Sequence, residues 1–485
     1  MAALDSSRTA AFAHAERQDA SQSVATPQVV DARTPSNTGT HTTLSVKPVV
    51  LVLFAQEYDE LALVSLELEH AEYEFVREGF DLFTFPENAR LLWFNVERFV
   101  AKLARKYRDR HIAAVTSTQE QFGALAASLL AARLGLPGTP LKALLTAQHK
   151  YLARQIHSKS LGEHVPPFCG FRYDADVSSA ITIDYPIFVK PVKAAFSVLA
   201  KRCQDEAALR AHLEFRFWEK IIIKRLTWPF RRISSQHLDC EIDADCFIAE
   251  ACVEEALQVC VDGYAYAGEV CVLGTVDSVM YPGTNSFMRF EYPSRLPDEH
   301  VSKLTAVAKR AVEAIGFTHG LFNVELFFEP KTERITLIEI NPRMAGQFSD
   351  LYERVDGKSL WALELELALG KTPHFPHRAG KFGAAASFVF REFGNAVKHA
   401  PPEDQRRWLA RTYADARLLL DLKHSTSRAR ETKWLGNYRY ALVHMGGHDH
   451  NDLVTRFADV CEHLDFDGSA LPEAPSRWQI LRRSF

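Results

Sequence analysis

The sequence predicts a multi-domain chain of mixed α/β and α+β class. Three observations carry that prediction. From Lys47 onward, short apolar runs alternate with helix-like segments; further on, residues 247–276 and 320–341 read as strands joined directly by turns; and 485 residues allow two to four domains. A hydrophobic content of 47% with 24% charged residues is that of a chain able to bury a sizeable core.

Residues 1–46 are rich in Ala, Ser, Thr, Gln and Asp and poor in large apolar side chains, which predicts a disordered tail. PVVLVLFA then reads as a buried strand and DELALVSLELEHAEYEF as a helix-like segment. NVERFVAKLARKYR, HIAAVTST and EQFGALAASLLAARLGL continue the alternation, giving a small open parallel-sheet domain over 47–145. A second domain is expected over 146–372. It opens on TAQHKYLARQIHSKSLGEHVPPF, an amphipathic helix and turn, and holds the apolar strand ending YPIFVKP. It continues through CFIAEACVEEALQVCVDGYAYAGEVCVLGTV, a strand followed by a linker and two more strands, and closes on a helix ending near Gly370. Residues 373–485 contain strand-like ASFVFREF and YRYALVHM and helix-like DLVTRFADVCEHLDF, a C-terminal α+β domain.

The stretch GLFNVELFFEPKTERITLIEINPRMAG is the most informative. NVELFF and ITLIEIN are strand-like, and EPKTER between them has turn chemistry. In an antiparallel pair, Glu325 and Glu339 approach each other across the strands, and Asn341 shares a face with Glu339 by period two. Two carboxylates and an amide carbonyl are hard oxygen donors of the kind Mg²⁺ takes while keeping water or phosphate in its other positions. Arg343, after a Pro, could set a permanently charged fork against phosphate or carboxylate oxygens. The residues alone also allow an ordinary hairpin whose acids are solvated or paired with Lys331 and Arg334.

The E…EINPR pattern resembles the metal-binding signature of the ATP-grasp superfamily, whose members mostly join a carboxylate to an amine or other nucleophile through an acyl phosphate. The resemblance covers about Lys47 to Gly370 and implies an ATP-grasp fold over 146–372, with a lid at about 175–250. It implies ATP and Mg²⁺, with Mn²⁺ as an alternative ion, at Glu325, Glu339 and Asn341. Lys150 matches a lysine at the start of a helix, and Lys190, in its VKP context, matches an ammonium placed near the phosphates. Relatives often follow that lysine with a glycine-rich loop. Here Lys193, Ala194, Ala195, Phe196 and Ser197 stand instead, so Ser197 becomes the phosphate-loop candidate. By the same resemblance Glu250 and Val253 would hold adenine through their backbone, Gln258 the ribose, Arg289 the carboxylate of an acceptor, and Arg343 the reacting carboxylate and its oxyanion. The implied activity is an ADP-forming carboxylate–amine ligase acting on an amino acid or small peptide-like substrate. The alternatives are a biotin carboxylase-like reaction on bicarbonate, which lacks its GGGG loop and QVEH continuation here, and a non-catalytic ATP-binding regulator.

Other classes find little support. A net charge of −4 gives no bias toward nucleic acid or membrane surfaces. No apolar stretch approaches the roughly 18 residues that span a bilayer, and charge interrupts the N-terminus where a signal-peptide core would lie. The eight cysteines form no CxxC pair and read as free thiols of a cytoplasmic protein. No GxxxxGK[ST] or GxSxG motif occurs. His444, His448 and His450 in HMGGHDHND read as a loop rather than a zinc site. The expected partners are small-molecule carboxylate and amine substrates, with a homodimer left open.

Overall fold

The computed structural model describes residues 47–82, 87–194, 199–394, 396–422 and 425–466. The tail predicted for 1–46 and the phosphate-loop candidate Ser197 lie outside them.

The run Val49–Leu53 (β1) is buried along its whole length, as a strand covered on both faces must be. It pairs in parallel with Glu74–Glu78 (β2) and Ile112–Thr116 (β3), in the order β2-β1-β3. The helix predicted through Phe75 ends at Glu69, and the residues after the turn at His70–Tyr73 become β2. Asp59 ties this sheet's first helix to a distant part of the chain. Its buried carboxylate accepts from the Gln56 backbone at 2.8 Å, Thr118 Oγ1 at 2.6 Å and Trp361 Nε1 at 3.2 Å, the last from the helix Leu360–Ala368.

The expected single helix over 146–161 is two, Leu141–Gln148 and Lys150–Leu161, broken at His149, whose imidazole caps the second by accepting from Leu152 N at 3.2 Å. A four-stranded sheet follows: Phe168–Phe171 (β4), Ile187–Pro191 (β5), Lys201–Cys203 (β6) and Phe247–Ala251 (β7), in the order β4-β7-β5-β6. The Trp- and Arg-containing segment between β6 and β7 is a helix, Phe217–His237.

The largest sheet has eight strands: Leu257–Tyr266 (β8), Glu269–Met280 (β9), Phe287–Tyr292 (β10), Gly320–Glu329 (β11), Arg334–Asn341 (β12), Ala384–Glu392 (β13), Arg417–Leu420 (β14) and Tyr438–Gly447 (β15). Their order is β12-β11-β8-β9-β10-β13-β15-β14, every pair antiparallel. β10 pairs with β13, Arg289 opposite Phe388, so the strands beyond residue 373 extend the same sheet rather than folding apart. Apolar residues of β13 and β15 meet the helix His450–His463 in their own core, with Phe388 and Phe457 rings stacked. Among the described residues no helix is long and apolar enough to cross a membrane.

Candidate active site

The β11/β12 hairpin sets Glu325 directly opposite Glu339 and Asn323 opposite Asn341. Asn341 Nδ2 donates to Glu325 Oε1 at 3.0 Å and Asn323 Oδ1 at 3.1 Å, and Gln258 Nε2 on β8 donates to Glu325 Oε2 at 2.9 Å. A buried layer supports them: Asn323 Nδ2 donates to Asp262 Oδ1 at 2.9 Å, and Tyr352 Oη donates to Asp262 Oδ2 at 3.0 Å. Burial, reinforced by the neighbouring Glu339 carboxylate, pushes Glu325 up to about 7. Burial acts the same way on Glu339, but the Lys150 and Lys190 ammoniums outweigh it and hold Glu339 below its ordinary value. Two carboxylates sharing one half-buried place favour a cation between them. Among the described residues no three His, Cys, Asp or Glu side chains converge. The donor set is therefore two carboxylates and an amide, which suits an ion that keeps phosphate or water ligands.

Cationic side chains ring the same place. Lys150 Nζ lies 3.0 Å from Glu339 Oε2 and donates to Ala194 O at 2.9 Å. Lys190 Nζ, at the end of β5, lies 2.9 Å from Glu250 Oε2, while Arg154 Nε contacts Glu250 Oε1 at 2.7 Å and Arg154 Nη2 donates to Ile338 O at 2.6 Å. Burial would raise Glu250, but these two cations bring it down to about 2. Burial lowers Lys190, and lowers Lys193 to about 8. Arg343 Nε lies 2.9 Å from Glu120 Oε2, and Gln148 Nε2 steadies that carboxylate at 2.8 Å.

Apart from the supporting Asp262 and Tyr352, these groups line one cavity of about 1510 Å³. Lys190 and Glu250 reach it from the four-stranded sheet, Glu325 and Glu339 from the eight-stranded one. A slot between two sheets, cationic on one wall and carrying paired carboxylates on the other, fits a polyphosphate with a divalent ion.

Residues 183–350 match the family described as an ATP-grasp domain. The chain carries an ATP-grasp domain. A stretch of 87 residues is 42% identical to carnosine synthase 1 of Gallus gallus, which is 18% of this chain and 9% of that protein. The fold is similar to that of L-amino acid ligase from Bacillus licheniformis, with a TM-score of 0.64 at 14% identity over 87% of this chain and 99% of that one. It is also similar to N5-carboxyaminoimidazole ribonucleotide synthetase from Thermus thermophilus, with a TM-score of 0.58 at 18% identity over 88% and 100% of the chains. For biotin carboxylase from Campylobacter jejuni the TM-score is 0.56 at 13% identity over 86% and 91%. At these identities the structures speak for the fold.

Within and around the ATP-grasp domain, the structure brings Lys150, Lys190, Glu250, Val253, Gln258, Arg289, Glu325, Glu339, Asn341 and Arg343 to the one cavity. Two differ in detail from expectation. Glu250, expected to act through its backbone, has its side chain buried as the counter-ion of Lys190 and Arg154. Arg289, expected to grip a substrate carboxylate, is buried and paired with Glu291, two residues along the same strand. Four supporting residues were not singled out from sequence. Arg154 follows Lys150 by one helical turn and Asn323 precedes Glu325 by one strand period, so both carried a usable signal. Glu120 and Asp262 reach the site only through the tertiary fold.

Proposed function

We propose that the chain is an ATP-dependent, ADP-forming ligase that activates a carboxylate and joins it to the amine of an amino acid or small peptide. The observation that carries this reading is the direct opposition of Glu325 and Glu339 across β11/β12, with Lys150 bridging to Glu339 in a cavity that also receives Lys190 and Arg343.

In this reading the γ-phosphoryl group of ATP passes to a substrate carboxylate oxygen, releasing ADP. The lone pair of an amine then attacks the acyl carbon, phosphate leaves with the carbonyl-bound oxygen, and the amine proton passes to phosphate or water. Lys150 and Lys190 supply ammonium charge to phosphate oxygens, and the buried Glu250, itself held by Arg154, keeps Lys190 in place. Backbone at Glu250 and Val253 would face adenine and Gln258 the ribose. Arg343 would hold the reacting carboxylate and meet the charge that develops on its oxygen. Magnesium, or manganese, at Glu325, Glu339 and Asn341 would neutralise phosphate oxygens and fix their alignment. Alignment and charge neutralisation dominate such transfers, so no side-chain nucleophile is required. The free thiol at each of the eight cysteines suits a reducing, cytoplasmic setting.

The test is calorimetric titration of a non-hydrolysable ATP analogue, with and without Mg²⁺. Binding that strengthens with Mg²⁺ in the parent, and loses that strengthening in Glu339→Gln, supports the reading. Analogue binding indifferent both to Mg²⁺ and to Lys190→Met contradicts it.

A further inference from the structure

The same cavity extends past the carboxylate pair to β13 and β15, where the ladder sets two arginines directly opposite each other, Arg391 against Arg439. Like charges at one cross-strand position oppose pairing, so each calls for an anion. Arg439 has one in Asp421, at 3.0 Å. Arg391 makes no ion pair with any described residue. Its Nε donates to the Phe287 carbonyl at 3.2 Å and its Nη1 to Asn437 Oδ1 at 2.8 Å, both neutral acceptors. Asn437 Nδ2 donates in turn to Ser286 Oγ at 2.7 Å, which fixes the amide with its oxygen toward the guanidinium.

A guanidinium has five N–H donors in a planar fork suited to a carboxylate, and these two contacts leave the rest available. Burial, with Arg439 beside it, lowers Arg391 to about 10, so it keeps its charge at neutral pH. Phe287, Val389 and Phe393 add apolar wall to this end of the cavity. β13 lies four ladder steps from β11, about 19 Å along the sheet at roughly 4.8 Å per step. One small carboxylate therefore cannot serve both ends. An acid that is activated leaves no carboxylate behind unless it has two, whereas an amino acid that reacts through its amine always keeps one.

We propose that Arg391, oriented by Asn437 and backed by Arg439, anchors the unreacted carboxylate of the amine-bearing substrate, so that this substrate is an amino acid or short peptide with a free C-terminus. This inference rests on the ligase reading above for the role it gives that substrate. The binding site itself does not.

The test uses the full chain loaded with the ATP analogue and Mg²⁺. The common L-amino acids and their carboxamides are titrated by calorimetry, and ADP release is followed separately, with ATP in place of the analogue, for the same compounds. At least one free amino acid is expected to bind ten-fold or more tightly than its carboxamide, and Arg391→Gln to erase that preference by weakening the acid about 10- to 100-fold. Asn437→Asp supplies Arg391 with a carboxylate of its own while keeping its packing, and should have the same effect even if Arg391→Gln folds poorly. ATP-analogue affinity should not change in either variant. No acid-over-amide preference in the parent, or a preference that survives in both variants, overturns the proposal. Acid preference without ADP release from any pair would leave the anchoring site standing and count against the ligase reading instead.

Discussion

Lys150 Nζ lies 3.0 Å from Glu339 Oε2, joining the first residue of the helix Lys150–Leu161 to the β12 strand. Glu339 in turn stands directly opposite Glu325. The Lys150 and Lys190 ammoniums thus keep the Glu339 half of a half-buried carboxylate pair charged, and the Glu325 half is driven toward the protonated form. Glu325 is held up by burial and by its neighbour's charge, the electrostatic condition a divalent ion relieves.

The Lys190–Glu250–Arg154 cluster gives a stability prediction. All three side chains are buried, and Glu250 is the carboxylate shared by both cations. Glu250→Gln removes that charge and strands two buried cations, so it should cost about 3 kcal/mol or more. Urea unfolding of parent and variant measures this, and an unchanged midpoint would speak against the cluster.

Arg343 gives a kinetic one. If it meets the developing oxyanion, Arg343→Met should lower kcat by about 100-fold or more while leaving ATP-analogue affinity within a few-fold. Its contact with Glu120 at 2.9 Å makes Glu120→Gln the companion variant, expected to cost less because the arginine remains. Steady-state kinetics on both variants separates a role in chemistry from one in nucleotide binding, where KM for ATP would rise instead.

Asp59 sets a pH dependence. Burial raises it to about 6, against the hydrogen bonds from Thr118, Gln56 and Trp361 that favour its charged form. A carboxyl with a raised folded-state pKa binds its proton more tightly in the folded chain than in the unfolded one. Its contribution is therefore complete below about pH 4 and lost as pH rises through about 6, on the order of 3 kcal/mol in all. Asp59→Asn should flatten stability between pH 4 and pH 7 relative to the parent. Thermal melts across that range check it, and parallel curves for the two proteins would contradict it.

The hairpin was legible because its information is local. Glu325, Glu339 and Asn341 lie on neighbouring strands joined by one turn, so apolar period and spacing suffice to place them face to face. The opening parallel sheet was legible too, except that Glu74 and Phe75 had to leave a helix-like run to begin β2 and pair with β1, a tertiary preference that overrides local propensity. What sequence did not disclose depends on distant contacts. The Arg154 partner of Glu250 is 96 residues away, and Glu120 meets Arg343 from the turn that follows β3, far upstream in the chain. Arg391 and Arg439 oppose each other only because β13 pairs with β15 and leaves β14 at the sheet edge, an order no local pattern encodes. The same pairing merges the expected C-terminal domain into the main sheet.

ADP release in the presence of Mg²⁺, across pairs of amino acids and short peptides, tests the central claim most directly when parent and Glu339→Gln are measured side by side. The account predicts that at least one pair drives ADP and phosphate release in equal amounts from the parent, and that Glu339→Gln lowers this about 100-fold or more. ADP release that depends on no added carboxylate or amine, or that is equal in the two proteins, would contradict it.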